Sequence, residues 1–402
     1  MTLLKMFPAK NGDAFLLKEP NPNDAAILVD GGYASTFQEF ILPELTAMHA
    51  SGQALDLVVS THIDADHISG LIELFRQNRE AHSPAVVAIK NVWHNSLRSM
   101  TIDRSTNPIS AVDHDVLSAI RSRGFPPPGE HSSTSEISAR QGSSLAALLL
   151  HGRYVWNNGD GRQSVNSSAG QAYNLTPDTR VHVLGPPPER LESLQGQWIT
   201  ELRRLGLVGR IGESEFFDDA FEFLSASEVA HAAVDPEEIA HKSLVDSTLA
   251  EAYFPDNSIN NGSSITLLIE TPSSRMLFLG DAWAEDVERA LSMLPSETYP
   301  IQFDAIKIAH HGSVRNTSVA LLDLIDAPVY LFSSDGARHN HPDLPVLKAI
   351  VDRPSKFMRH LHFNYATPAS RQLRLHRSSG GAEFVMHEES TGWIKVGKID
   401  ND

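Results

Sequence analysis

The amino-acid sequence predicts an α/β fold, and three observations carry that reading. Short apolar runs separated by turn residues alternate with helix-length stretches up to residue 95. The same strand–helix rhythm returns from Ser264. Between them, roughly from 97 to 255, the chain reads as helical patches and polar loops, which marks an excursion with a role of its own. The domain division expected is 1–95 and 256–390 as one domain, with 96–255 as a mostly helical insertion.

The elements follow in order. Leu3–Phe7, Ala14–Lys18 and Ala25–Asp30 are strands parted by Asn-Gly and Pro-Asn-Pro turns. Residues 36–50 are helical and stop near Ser51-Gly52. Leu55–Ser60 is a buried strand, His67–Gln77 a helix and Val86–Trp93 a further strand. Phe125-Pro126-Pro127-Pro128-Gly129 is a breaker, and Asn157–Asn174 is a polar loop. Arg180–Leu184 is the one strand-like run of the middle region and ends at Gly185-Pro186-Pro187-Pro188. Ile265–Glu270 and Met276–Leu279 form a hairpin around Thr271–Ser274, and Phe303–Ile308 and Val329–Phe332 are strands followed by helical stretches.

Composition excludes several classes of function. The chain has 402 residues, 41% apolar and 21% charged, an ordinary globular balance. No apolar run reaches the length of a membrane span, and the N-terminus lacks a signal-peptide core, so a cytoplasmic location without membrane contact is expected. There is no cysteine, which removes disulfides, zinc ribbons and thiol nucleophiles and leaves metal binding to the 19 histidines and the carboxylates. The net charge is −17, so a basic footprint for nucleic acid does not extend over the whole chain. The charge is uneven, however. Glu213–Lys242 holds nine acids, read as a solvated face, whereas Arg338–Arg377 has eight Lys/Arg against two acids.

Chemistry concentrates in Thr61-His62-Ile63-Asp64-Ala65-Asp66-His67, where two Asp and two His fall directly after an apolar strand. A turn at a strand end lets alternate side chains converge, as a metal site requires. Asp281 also ends an apolar strand, where a carboxylate is costly unless paired, metal-bound or used as a helix N-cap for Ala282–Leu291. His310-His311-Gly312 ends another, and two adjacent histidines are expected to point apart.

The pattern H-x-[HD]-x-D-H resembles the signature of the metallo-β-lactamase fold superfamily. With Asp at the second liganding position, THIDADHISG is similar to the soluble metallo-β-lactamase domain of ComEC-type competence proteins. Gly12-Asp13-Ala14, Asp30-Gly31-Gly32, Asn261–Ile265, Leu279-Gly280-Asp281, Lys307–Ser313 and Ser333 to His341-Pro342 resemble further family segments in order. The likeness covers about residues 1–95 and 256–376. It implies an αββα four-layer sandwich holding two divalent ions, zinc or manganese, with magnesium a third option. The ligands implied are His62, Asp64, Asp66, His67, Asp281 and His310, with Asp66, His311 and His341 in catalysis. His311 reads equally as a structural histidine, Asp30 as an orienter of a ligating histidine or a turn residue, and His341 as a substrate contact or a residue of the Asn340–Asp343 turn. The family also supplies a third histidine to its first metal from a mid-chain strand. Here Val181–Pro186 ends in Gly185-Pro186, which leaves that ion weakly held, harder in character or bound only with substrate; His182 and His94 are nearby alternatives.

The function implied is a metal-dependent hydrolase, a phosphodiesterase or nuclease using a metal-bridging hydroxide on a nucleic acid or nucleotide. The alternatives are a small-molecule metallohydrolase (cyclic nucleotide, lactone or thioester) and a partner-regulated non-catalytic module whose insertion docks a protein partner.

Overall fold

The computed structural model describes residues 1–20, 25–101, 144–169, 172–204, 247–296 and 298–397. The expected breaker at Phe125–Gly129 and the acidic tract Glu213–Lys242 lie outside the described residues. In chain order the strands are β1 (Thr2–Met6), β2 (Phe15–Lys18), β3 (Ala26–Val29), β4 (Ala54–Leu55), β5 (Leu57–Val59), β6 (Ala88–Ile89), β7 (Val92–Trp93), β8 (Ala172–Asn174) and β9 (Arg180–Gly185). They continue with β10 (Thr266–Glu270), β11 (Arg275–Phe278), β12 (Ile301–Gln302), β13 (Ala305–Lys307), β14 (Ile325–Asp326), β15 (Val329–Phe332), β16 (Arg359–Phe363), β17 (Phe384–His387) and β18 (Trp393–Val396).

The chain packs as two units. The first comprises Met1–Val29, Asn166–Pro187 and Pro236–Asp402. It holds an eight-stranded sheet in the order β17-β16-β15-β13-β11-β10-β9-β8. The stretch from β11 to β17 is parallel, as strands returning through helices must be. The expected hairpin is present, with Glu270 opposite Arg275. Strands β18, β1, β2 and β3 pair antiparallel in that order and face the eight-stranded sheet. Phe15 meets Phe278 edge-on at 5.5 Å, and the Asn364 amide donates to the Phe7 carbonyl at 3.3 Å. On the far side of the large sheet, helices Ala284–Ser292, Val319–Leu324, Leu344–Val351 and Pro368–Leu373 bury Leu277, Ile306, Tyr330, Phe332, Leu361 and Phe363.

The second unit comprises Asp30–Val165 and Pro188–Asp235. Its helix Ala65–Asn78 buries His67, Ile68, Gly70, Leu71, Leu74, Phe75 and Asn78, the three-and-four spacing of a one-sided helix. The Asn78 side chain binds the Val86 and Val87 amides and the Val87 carbonyl, tying the helix end to the next segment.

Three sequence expectations change. Leu55–Ser60 and Val86–Trp93 are each two short strands, because the chain steps at Asp56 and at Lys90-Asn91 from the β4–β6 pairing to the β5–β7 pairing. Lys90 Nζ reaches Asp56 at 2.6 Å across that step. Within the 96–255 stretch, β8 and β9 belong to the eight-stranded sheet. The C-terminal strands β16 to β18 are four or five residues long and each is broken by Arg, His or Lys, so no long apolar run announced them.

Candidate functional site

In the second unit the site residues are built outward from the end of β5. Asp30 is fully buried with φ of 56°, a conformation that aspartate tolerates better than most residues. Its carboxylate accepts from the Thr61 amide at 2.8 Å, from the Thr61 hydroxyl at 2.7 Å and from His67 Nδ1 at 2.8 Å. His67 Nδ1 therefore carries the proton, and Nε2 keeps its lone pair. The Thr61 hydroxyl has given its hydrogen to Asp30, so it accepts from His62 Nδ1 at 3.1 Å. The two rings sit 4.1 Å apart. Asp64 is at the N-cap of helix Ala65–Asn78 without a side-chain cap bond, and its carboxylate lies 3.6 Å from His62 Nε2. Asp66 occupies the first helical turn, where the helix dipole favours a negative charge.

In the first unit the site follows the ends of β11 and β13. His310 and His311 have φ of 46° and 55°. This consecutive left-handed backbone corrects the expectation that adjacent histidines diverge: both Nε2 atoms approach Asp281 Oδ2, at 3.8 and 3.6 Å. His310 Nδ1 donates to the Asn316 side-chain oxygen at 2.8 Å, so its Nε2 is the bare nitrogen. His311 Nδ1 lies 3.2 Å from Asp13. The N-cap reading of Asp281 is overturned, because the following helix begins at Ala284 with Trp283 at its N-cap. Asp281 is buried instead, its amide bound to the Ser264 hydroxyl at 3.1 Å. His341 is nearby, with its ring 5.2 Å from His310 and Nδ1 3.4 Å from Asp343.

Electrostatics separate these imidazoles. Desolvation pushes His310 below the ordinary histidine value. The same desolvation acts on His311, but the Asp281 and Asp13 carboxylates outweigh it and raise its proton affinity. Burial, then His341 and His310, hold His339 down to about 4.

Two residues of this cluster had been assigned no role. Lys307 is 1% exposed. It pairs with Asp13, donates to the Gly280 carbonyl at 2.9 Å and stands 3.6 Å from Asp281. The signal was present: a lysine in the apolar strand Ala305–Ile308 must find an anion inside the protein. Asp256 similarly accepts from the Asn261 and Asn316 side chains at 2.7 and 3.0 Å.

His182 and His94 stand elsewhere. His182 Nε2 pairs with Glu270 at 2.9 Å, and at the strand end Gly185 lies against Thr266. His94 is fully buried, stacked 6.0 Å from Trp156 with its backbone bound to Asn157. The basic C-terminal stretch is also partly consumed internally. Arg353 and Arg359 bind Asp326, and Arg374 binds Glu388.

The donor chemistry fits a divalent cation. Candidate donors are Asp30, His62, Asp66 and His67 in the second unit and Asp13, Asp281 and His311 in the first. They are imidazole and carboxylate groups of a borderline-to-hard set, buried except for the half-buried Asp66. Clusters of this kind are compatible with a metal-binding catalytic site.

Residues 8–143 match the model of the metallo-beta-lactamase superfamily, and the α/β sandwich is that superfamily's fold. Over 106 residues the chain is 26% identical to ComE operon protein 3 of Bacillus subtilis (strain 168). That match covers 26% of this chain and spans 13% of the length of that relative. Among the described residues no helix is long and apolar enough to cross a membrane.

Proposed function

We propose that the chain is a metal-dependent phosphodiesterase or nuclease with His62, Asp64, Asp66, His67, Asp281 and His310 as ligands of two divalent ions. The observation that carries the reading is the arrangement of His62, His67 and His310. Each has Nδ1 held by a hydroxyl, carboxylate or amide oxygen, the support that orients a metal-ligating imidazole. Bound divalent ions would activate water and stabilise negative charge developing on phosphate oxygens. The protein's own groups supply the rest. His311, held between Asp13 and Asp281, is suited to contact a phosphate oxygen. His341, whose Nδ1 stands 3.4 Å from Asp343, would give a proton to the leaving oxygen. The carboxylate-rich set favours manganese or magnesium more than an all-histidine set would.

The test is a substrate panel with Mn²⁺, Mg²⁺ and Zn²⁺. It should contain DNA, RNA, cyclic nucleotides and bis(p-nitrophenyl) phosphate, with lactones and thioesters as competitors. Cleavage of phosphodiesters, lowered about 10²–10⁴-fold in His341→Ala with metal content unchanged, is the expected result. Turnover of lactones or thioesters alone would reject the reading. A partner-regulated, non-catalytic module is the second reading. It is favoured by Gly185-Pro186, which puts no ligand at the mid-chain position, and metal content staying at zero after reconstitution would support it.

A further inference from the structure

Strand β16 alternates buried and half-buried positions, and the half-buried ones are His360 and His362, so both imidazoles project from one face. The neighbouring strand β17 runs parallel, with His387 directly opposite His362 and Val385 opposite His360. The third imidazole thereby joins the same face. The three rings are gathered closely. His387 Nε2 lies 3.0 Å from His360 Nδ1, and the His387 ring stacks on His362 at 4.3 Å and 14°. His362 Nδ1 contacts the Ser390 hydroxyl at 2.9 Å. None of these residues takes part in the candidate site above. That site follows the C-terminal ends of β11 and β13, whereas His360 and His362 lie inside β16, opposite Val329 and Leu331.

Histidines rarely gather on a strand face for packing alone, because each ring brings polar nitrogens that need partners. The 3.0 Å between His360 Nδ1 and His387 Nε2 requires a proton on one of them. It is also near the separation of two imidazole donors on one tetrahedral ion, since nitrogens each about 2.0–2.1 Å from a metal lie about 3.3 Å apart. A bound ion would displace the shared proton, with the two rings re-angled towards it. In this structure His362 Nδ1 is engaged by Ser390 and its ring is stacked on His387, so it would join the ion as a third donor only after its ring turns; β17 is the outermost strand of its sheet, where water can supply a further ligand. The packing also favours the neutral ring: burial, then His387 and His360, push His362 down to about 3.

We propose that His360, His362 and His387 form a second metal site, distinct from the candidate centre, for a borderline transition-metal ion such as Zn²⁺, Co²⁺, Ni²⁺ or Cu²⁺. An all-imidazole set selects these ions and gives Mn²⁺ and Mg²⁺ little purchase. The bound ion would clip the edge strand β17 to β16.

The test uses the full chain carrying Asp66→Ala and Asp281→Ala, which disables the candidate centre. Co²⁺ is titrated and followed by its visible ligand-field absorption, with metal content measured after dialysis. One equivalent should bind and be displaced by Zn²⁺ but not by Mn²⁺. Adding His387→Gln should weaken it by about tenfold or more, as loss of a positioned metal partner does. The same comparison in the chain with Asp66 and Asp281 intact keeps the test decisive if the double variant fails to fold: His387→Gln should lower zinc content by one equivalent there and leave hydrolysis unchanged. Absence of Co²⁺ binding in a folded double variant, or equal zinc content with and without His387→Gln, would overturn the proposal whatever the fate of the hydrolase reading.

Discussion

Lys307 is a single residue whose loss should be felt by the whole site. Its ammonium is shut in with Asp13 and Asp281, and removing one member of such a group leaves a carboxylate buried without its counter-charge. Lys307→Met should cost about 3–5 kcal/mol in a denaturant titration. Lys307→Met combined with Asp13→Asn should recover part of that loss, a coupling that a packing defect would not show. Tyr154 carries a second residue-level expectation. Burial raises its phenol to about 12 against the opposing Asn78 hydrogen bond. The unfolded chain releases that proton near 10. Between 10 and about 12 the folded chain therefore holds more protons, and stability falls as pH rises. Its contribution is intact below 10 and lost by about 12. Melting temperatures across that range should drop more steeply in the wild-type chain than in Tyr154→Phe, by a difference on the order of 2 kcal/mol.

At the scale of an element, helix Ala65–Asn78 positions Asp66 and His67 because its backbone touches the Asp30–Gly32 turn that follows β3. The Gly31 amide donates to the His67 carbonyl and the Gly70 amide to the Gly32 carbonyl, both at 2.8 Å. A methyl group at Gly70 would stand 1.9 Å from the Gly31 carbonyl oxygen, which is backbone and cannot swing aside. Gly70→Ala must push the helix outward and should destabilise the fold by about 1–3 kcal/mol. It should also loosen the His67–Asp30 bond and lower metal affinity. Equal melting temperatures for Gly70→Ala and the parent chain would show that the contact carries no constraint. Gly52→Ala is an internal control for the loss of a glycine: its site is open, with only a φ of 74° to oppose the change.

At the scale of the whole molecule, the 96–255 stretch cannot be cut out as one piece. Strand β9 pairs along β10 from Thr266 to Glu270 and buries Val181, while Trp156 and Val165 are buried in the second unit. Replacing Leu97–Tyr253 by a short linker should therefore abolish cooperative unfolding, as followed by circular dichroism on heating. A sharp melt near the parental temperature would show that the eight-stranded sheet survives without β8 and β9.

Local chemistry made the liganding motifs and most strands legible in the sequence. Apolar runs bounded by Gly, Pro and Asn can be read without knowing their partners, and Asp and His crowded after Val58-Val59 are costly unless they bind something. The left-handed turn that lets both His310 and His311 approach Asp281, the pairing of Lys307 with Asp13, and the meeting of His387 with His360 and His362 depended on tertiary structure. Each joins residues far apart in the chain or a backbone conformation that no side-chain pattern encodes. Strands β16 to β18 became visible only through their pairing, because half of each faces solvent or polar neighbours. The sequence by itself determined which donors the chain possesses and at which strand ends they stand. Tertiary structure decided which nitrogen of each histidine is tied back, because that depends on the oxygen the fold sets behind it.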